Sequence, residues 1–149
     1  MFRLKHTKYS KLKIQDARTP LGFLEEAADE FNAEVAALCS SEVTDRQWFA
    51  FLDEMAPLTK DGDTLTGRAL TMATRKQEQL RALWTHDTRV SPWKNTAFGV
   101  VQAINTWGQH FQTVRGTNRV ERNMLDEITG GIAKADNEAL DLLGTVLAA

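Results

Sequence analysis

What this chain has little of narrows its class. Among 149 residues there is one cysteine and there are three prolines. Cys39 therefore has no internal disulfide partner, and it closes an apolar helical face where packing, not redox chemistry, is its expected role. Pro20, Pro57 and Pro92, with nine dispersed glycines, are too few for a linker-rich or disordered protein. No run approaches the roughly 18 apolar residues of a membrane helix, and the basic start lacks the apolar core of a signal peptide. A cytoplasmic protein without membrane contact is expected. His6, His86 and His110 lie far apart, and no Cys or His pair has ligand spacing, so no metal site is expected. There is no Gly-x-Ser-x-Gly elbow, phosphate loop or dinucleotide fingerprint, so no cofactor is expected and the chain is read as non-catalytic.

What is present fits one globular domain over residues 1–149, with 42% hydrophobic and 26% charged residues and enough chain to bury a core. The net charge of −2 hides segregation. Residues 1–18 hold Arg3, Lys5, Lys8, Lys11, Lys13 and Arg18 against only Asp16, residues 25–54 hold nine acids against only Arg46, and residues 64–122 turn basic again. A basic face could meet an anionic partner, whereas basic blocks set against the acidic one merely neutralise it.

The periodicity is helical almost throughout. Phe2, Leu4 and His6 alternate with Arg3, Lys5 and Thr7, a short extended lead-in over residues 1–8. From Ile14 the apolar positions Ile14, Ala17, Leu21, Leu24, Ala28, Phe31, Val35 and Leu38 alternate steps of three and four. That seam predicts one long helix, kinked at Pro20 or broken into two at Thr19. A 3.5-residue repeat also marks coiled-coil contacts between subunits, but Ala and Phe replace the Leu and Ile of a dimeric zipper, so packing on the chain's own core is expected.

Thr44 and Gln47 have capping-box spacing ahead of a helix facing inward through Trp48, Phe49, Leu52 and Met55 and ending before Pro57. Lys60-Asp61-Gly62-Asp63 is turn chemistry. A helix over about 64–85 should turn Leu65, Ala69, Met72, Leu80 and Leu83 inward, with Lys76 snorkelling past the core or reaching a carboxylate or anion. A helix over about 96–114 carries Phe98, Val100, Val101, Ala103, Ile104, Trp107 and Phe111 over so wide an arc that it should be central. Helices over about 119–129 and 132–147 complete an all-α bundle of five or six helices.

The ordered occurrence of Phe2-Arg3-Leu4-Lys5-His6-Thr7, Val43-Thr44-Asp45, Asn95-Thr96-Ala97-Phe98-Gly99, His110, Val114-Arg115-Gly116, Arg119, Glu121-Arg122 and Leu140-Asp141-Leu142-Leu143 resembles the phage/plasmid-like protein family, domain of unknown function 932. The resemblance covers nearly the whole chain but only the C-terminal, helical part of the family. Its members usually begin with a β-rich domain, so a natural short form or a fragment is expected. The family implies a mobile-element origin and an intracellular setting, and it brings no catalytic residues.

Two groups of residues stand out as candidate sites. His110, Arg115, Arg119, Glu121 and Arg122 gather across a helix end, a turn and the next helix start. Glu121 shares an arc with Val120, Met124 and Ile128, which predicts a partly buried carboxylate paired with a cation. Asn118 and Glu121 also have N-cap to N3 spacing, and a structural corner is preferred to an active site. Trp84, Trp93 and Trp107 lie among Arg81, Arg89 and Lys94, the interleaving that single-strand nucleic-acid binders use. Trp84 and Trp107 are expected in the core, whereas Trp93 either stacks on a base or staples the following helix. Lys5, Lys8, Lys11, Lys13, Arg89, Trp93 and Lys94 are thus candidate nucleic-acid contacts of an accessory domain. The alternative is an inhibitor or adaptor of a host protein, acting through the acidic residues 25–54 or the long seam. Homo-oligomerisation is compatible with both.

Overall fold

A computed structural model of the chain describes residues 10–114 and 118–149, with side chains from residue 22 onward. The extended lead-in expected over residues 1–8 lies outside them. The chain divides into two compact units, residues 1–37 and residues 38–149.

The first unit is helical: α1 runs from Ser10 to Ser40. It continues through Pro20 as one element, so the expected alternative of two helices meeting at Thr19 does not form. Among its described side chains Leu24 is 65% exposed and Phe31 63%, with Phe23 exposed beside them, and Val35 is half-buried. Leu38, the last seam position, belongs to the second unit and packs against that unit's core.

The second unit holds α2 (Asp45–Met55), α3 (Gly67–His86), α4 (Ala97–His110), α5 (Arg119–Thr129) and α6 (Gly131–Ala148). It is the expected all-α bundle, six α-helices among the described residues when α1 is counted. The exception is a two-stranded hairpin, β1 (Thr59–Lys60) and β2 (Asp63–Thr64), paired antiparallel. Asp61 and Gly62 both take positive φ, 54° and 87°, which is the two-residue turn that Asp-Gly favours. The turn chemistry was legible; the strands, two residues each, were too short to show a period.

At the head of α2 the Thr44 hydroxyl accepts from the Gln47 amide while the Gln47 side chain accepts from the Thr44 amide, the expected capping box. Trp48, Phe51 and Leu52 are buried, and Met55 packs on the same cluster. Phe51, not Phe49, takes the inward place. From Trp48 the helix returns to one face at steps of three, four and seven, and Phe49 lies about 100° away. Phe49 stays 46% exposed, with the Arg81 guanidinium 5.2 Å from its ring centre.

On α3, Gln77, Leu80, Leu83 and Trp84 are buried, but Ala69 and Met72, expected inward, are exposed. The first turns of the helix outrun the core. The Gln77 amide is satisfied by the Ala56 carbonyl at 2.8 Å. The core is aromatic at its heart: Trp48 stacks on Trp84 with ring centres 4.3 Å apart and on Phe51 at 5.7 Å. α4 is central as expected, burying Val100, Val101, Ala103 and Ile104. It stops at His110 instead of Val114. The Phe111 and Gln112 amides both turn back to the Trp107 carbonyl at 2.9 Å, leaving Phe111 at the surface. α6 closes the core with Ala139, Leu143 and Val146.

The α2 and α4 starts are tied together. The Val43 amide donates to the Asn95 carbonyl and the Ala97 amide to the Ser41 carbonyl, both at 2.9 Å. The Asn95 side-chain amide donates to the Val43 carbonyl at 3.0 Å and to Asp45 Oδ1 at 3.1 Å. Asn95 sits at φ 64°, a conformation asparagine tolerates better than any residue but glycine.

Thr96 then caps α4, accepting from the Gly99 amide at 3.1 Å and donating to the Trp93 carbonyl at 2.6 Å. A Cβ on Gly99 would fall on that same Trp93 carbonyl, inside any tolerable contact. Gly99→Ala is expected to lower stability by about 1–3 kcal/mol in a thermal melt, and a wild-type melting temperature would refute this close approach.

Candidate functional site

The two family-like motifs Val43-Thr44-Asp45 and Asn95-Thr96-Ala97-Phe98-Gly99 meet in space, and what they build is a joint. Asp45 receives the Trp84 indole N–H at 3.3 Å and the Asn95 amide. Those two hydrogen bonds, and behind them the Lys94 charge, hold its carboxyl below its ordinary value against the opposing effect of burial. The side-chain hydrogen bonds of the joint hold the Val43 backbone, the Asp45 carboxylate and the Trp84 indole.

The seven candidate nucleic-acid contacts do not gather among the described residues. Lys5 and Lys8 lie outside them, and Lys11 and Lys13 fall on α1 where side chains are not described. Arg89 is paired: its Nε and Nη2 donate to the two Asp87 oxygens at 2.9 and 2.7 Å. The Asp87 carboxyl is driven down to about 2, chiefly by these bonds. Trp93 is half covered, meeting Phe98 edge-on at 5.1 Å at the start of α4, which is the staple role. Trp84 is buried. Trp107 is half-buried, donating to Gln79 Oε1 at 2.9 Å. Lys76 answers its open alternatives by lying over the Trp107 ring, 4.6 Å from its centre. Burial there pushes its ammonium below its ordinary value, and the ring face supplies the compensating attraction.

The polar corner is a splice between α4 and α5. Arg119 Nη1 and Asn123 Nδ2 both donate to the Gln109 carbonyl at 3.2 Å. That carbonyl is in the last turn of α4, where acceptors lack intrahelical partners and cations are favoured. Arg122 reaches Asp126 one turn along at 3.4 Å. His110, at the end of α4, is exposed, and Arg115 lies outside the described residues.

Glu121 is exposed rather than partly buried. The arc it shares, Val120, Met124 and Ile128, faces solvent, so the premise of a buried, ion-paired carboxylate fails. Its backbone amide is taken by the Asn118 side chain at 2.9 Å, the N-cap arrangement.

Between α4, α5 and α6 lies a cleft of about 220 Å³ lined by Asn105, Gln109, Arg122, Asn123, Asp126 and Ile132 among others. Its walls offer amides and an internal ion pair. Beside it on α6, Asp136 places one carboxylate oxygen, Oδ1, in the interior without a hydrogen-bond partner. Burial pushes the Asp136 carboxyl up, and a hydrogen bond from Asn105 works in the opposite direction. Among the described residues no three His, Cys, Asp or Glu side chains come together as a metal site, and no helix is long and apolar enough to cross a membrane.

The feature that residue patterns did not disclose is on α5. Val120 is 68% exposed, Met124 and Leu125 57% and Ile128 79%. Their spacing was read as an inward face. Only the position of α5 on the bundle, turned so that its polar residues Arg119, Arg122 and Asn123 face α4, reveals that the apolar stripe points out.

The fold is a helical bundle in which two of the family-like motifs, at residues 43–45 and 95–99, form the joint between the α2 and α4 starts. The chain belongs to the family described as Domain of unknown function (DUF932), whose profile matches residues 1–128. Leu140-Asp141-Leu142-Leu143, included in the resemblance, lies past the match. No curated protein and no solved structure matches the chain.

Asn118→Ala should cost about 1 kcal/mol, whereas Glu121→Ala should cost no more than about 0.5 kcal/mol, the scale of an exposed helix-end charge. Thermal melts that reversed this order would restore a buried Glu121 network. Asp136 makes a second prediction. Its folded value lies above the ordinary 3.8, so its contribution to stability is fully present below the unfolded value and lost as pH rises through the folded one. Asp136→Asn is expected to raise the melting temperature near neutral pH, with the gain shrinking below about pH 4. A gain independent of pH would show that ionisation is not its cause.

Proposed function

We propose that the chain is a non-catalytic accessory domain of a phage- or plasmid-borne system that acts by holding another protein, with α5 as the docking face. The observation that carries this reading is the contiguous stripe of Val120, Met124, Leu125 and Ile128, each more than half exposed. Burying one such side chain fully is worth about 1.5–3 kcal/mol, and a stripe at steps of four, five and eight is the pattern by which a helix enters a groove or pairs with another helix. The mobile-element setting is supported by the sequence resemblance, and the absence of a catalytic motif favours a binding role.

Nucleic-acid binding is the second reading, and the observation favouring it is the basic block of residues 1–18, six cations against Asp16. With Arg89 committed to Asp87, the binding would rest on Lys5, Lys8, Lys11 and Lys13, with Lys94 beside Trp93.

The protein-docking reading predicts that immobilised wild-type chain retains a host protein that the M124D/I128D variant does not, with both melting within about 0.5 kcal/mol of each other. Identical capture by the two would refute α5 as the docking face. Fluorescence anisotropy with labelled DNA and RNA across a salt series checks the second reading. Binding that falls steeply with salt and is lost in K8E/K11E/K13E supports it, and no binding at low salt removes it.

A further inference from the structure

We propose that the cleft between α4, α5 and α6 binds a free α-amino acid with a short aliphatic side chain. This goes beyond the docking face of α5 and does not rest on it, because the cleft uses the polar residues of α5 and leaves Val120, Met124, Leu125 and Ile128 outside it.

Three properties choose this class of ligand, and the first is size. At about 220 Å³ the cleft lies below the roughly 300–1,000 Å³ of sites for drug-sized ligands and cofactors, so a nucleotide is too large for it. Two glycines keep it open. On α4, a Cβ at Gly108 would meet nothing nearer than Gln112 Oε1 at 3.9 Å. At the head of α6, a Cβ at Gly131 would stand only 3.1 Å from Asp126 Oδ1, so its absence leaves that carboxylate its place in the wall.

The second is charge. The cleft carries one cation and one anion, Arg122 and Asp126, one helical turn apart on one face of α5. They meet through Nε and Oδ2 at 3.4 Å, with the side chains 34% and 38% exposed. The two Nη groups of Arg122 and Oδ1 of Asp126 take no part in that contact. A ligand of one sign would set a like charge against Asp126 or Arg122, whereas a zwitterion gives its carboxylate to the guanidinium and its ammonium to the carboxylate. An α-amino acid carries both groups on one carbon.

The third is hydrogen bonding. Asn123 Nδ2 donates to the Gln109 carbonyl and Asn105 donates to Asp136, which leaves the side-chain oxygens of Asn123 and Asn105 as acceptors. With Asp126 Oδ1 they match the three N–H donors of an ammonium. The side-chain amide of Gln109 joins the Arg122 fork as a donor to the carboxylate. Ile104, Ile132 and Ala135 supply the apolar wall for the side chain. Among the described residues no aromatic side chain lines the cleft, so neither a base nor a sugar ring finds a stacking platform.

The test titrates the full, isotope-labelled chain with L-alanine, L-valine, L-leucine and L-isoleucine, read by nuclear magnetic resonance. At least one should saturate with a Kd below ~1 mM and move the side-chain amide signals of Asn105, Gln109 and Asn123. The amine and the acid that correspond to the tightest binder, one lacking the carboxylate and the other the ammonium, should each bind at least tenfold more weakly. Gly108→Leu fills the cleft from a position with room for a Cβ and removes no polar group; it should lose binding with signals away from the cleft unmoved. Arg122→Gln, which keeps an amide and removes the charge, should weaken binding at least tenfold in a chain that stays folded. No saturable shift with any of the four at about 10 mM, ten times that Kd, overturns the proposal. Binding that survives Gly108→Leu overturns it too, as does an amine or acid that binds as tightly as the amino acid. Adenosine or glucose moving these signals where the amino acids do not would likewise overturn it.

Discussion

The second unit depends on one polar residue held in an unusual backbone conformation. Asn95, left-handed at φ 64°, presents a carbonyl to the Val43 amide and its side-chain amide to the Val43 carbonyl and to Asp45. No other residue type combines tolerance of that backbone with a two-proton amide. Glycine would keep the turn and lose the donors, whereas aspartate would place a second carboxylate against Asp45. Through Asp45 the joint reaches the Trp84 indole, and through Trp84 the Trp48–Phe51 stack. A surface turn and the centre of the core are thus two ends of one chain of contacts.

Helix positions were legible because caps and periods are local. Thr44 with Gln47, Thr96 ahead of Gly99 and Asn118 ahead of Glu121 each mark a helix start, and the same hydrogen bonds are present in the fold. Faces were less legible. Phe49 and Phe51 are two residues apart, and both are hydrophobic enough for either to be drawn inward. The phase set by Trp48, Leu52 and Met55 decides for Phe51. On α5 the apolar stripe was visible but not its destination, because an amphipathic period says that a face will be covered and not by what.

The candidate sites divide along the same line. Sequence proximity brought Arg119, Arg122 and Glu121 into one group, yet the fold turns Arg119 and Arg122 toward the α4 end and the cleft and leaves Glu121 in solvent. Arg89 was read as an available cation although its partner stands two positions earlier. Only the turn between them points the two Asp87 oxygens at the guanidinium. Asp136 carried no signal, since one acid among the polar positions of a helix is unremarkable until the neighbouring helix covers it.

The joint at Asn95 also bears on how the chain reaches this structure. Its hydrogen bonds link residues 50 and 52 positions apart, and the loop they close contains α2, the hairpin and α3. Closing a loop of that length carries an entropic cost that grows only slowly with its size, but it yields nothing until both ends are in place. Local helices therefore form early and reversibly, while the meeting of residues 41–45 with residues 93–97 is the non-local step that commits the domain. The residue that secures the native state is then also placed where the folding clock is set.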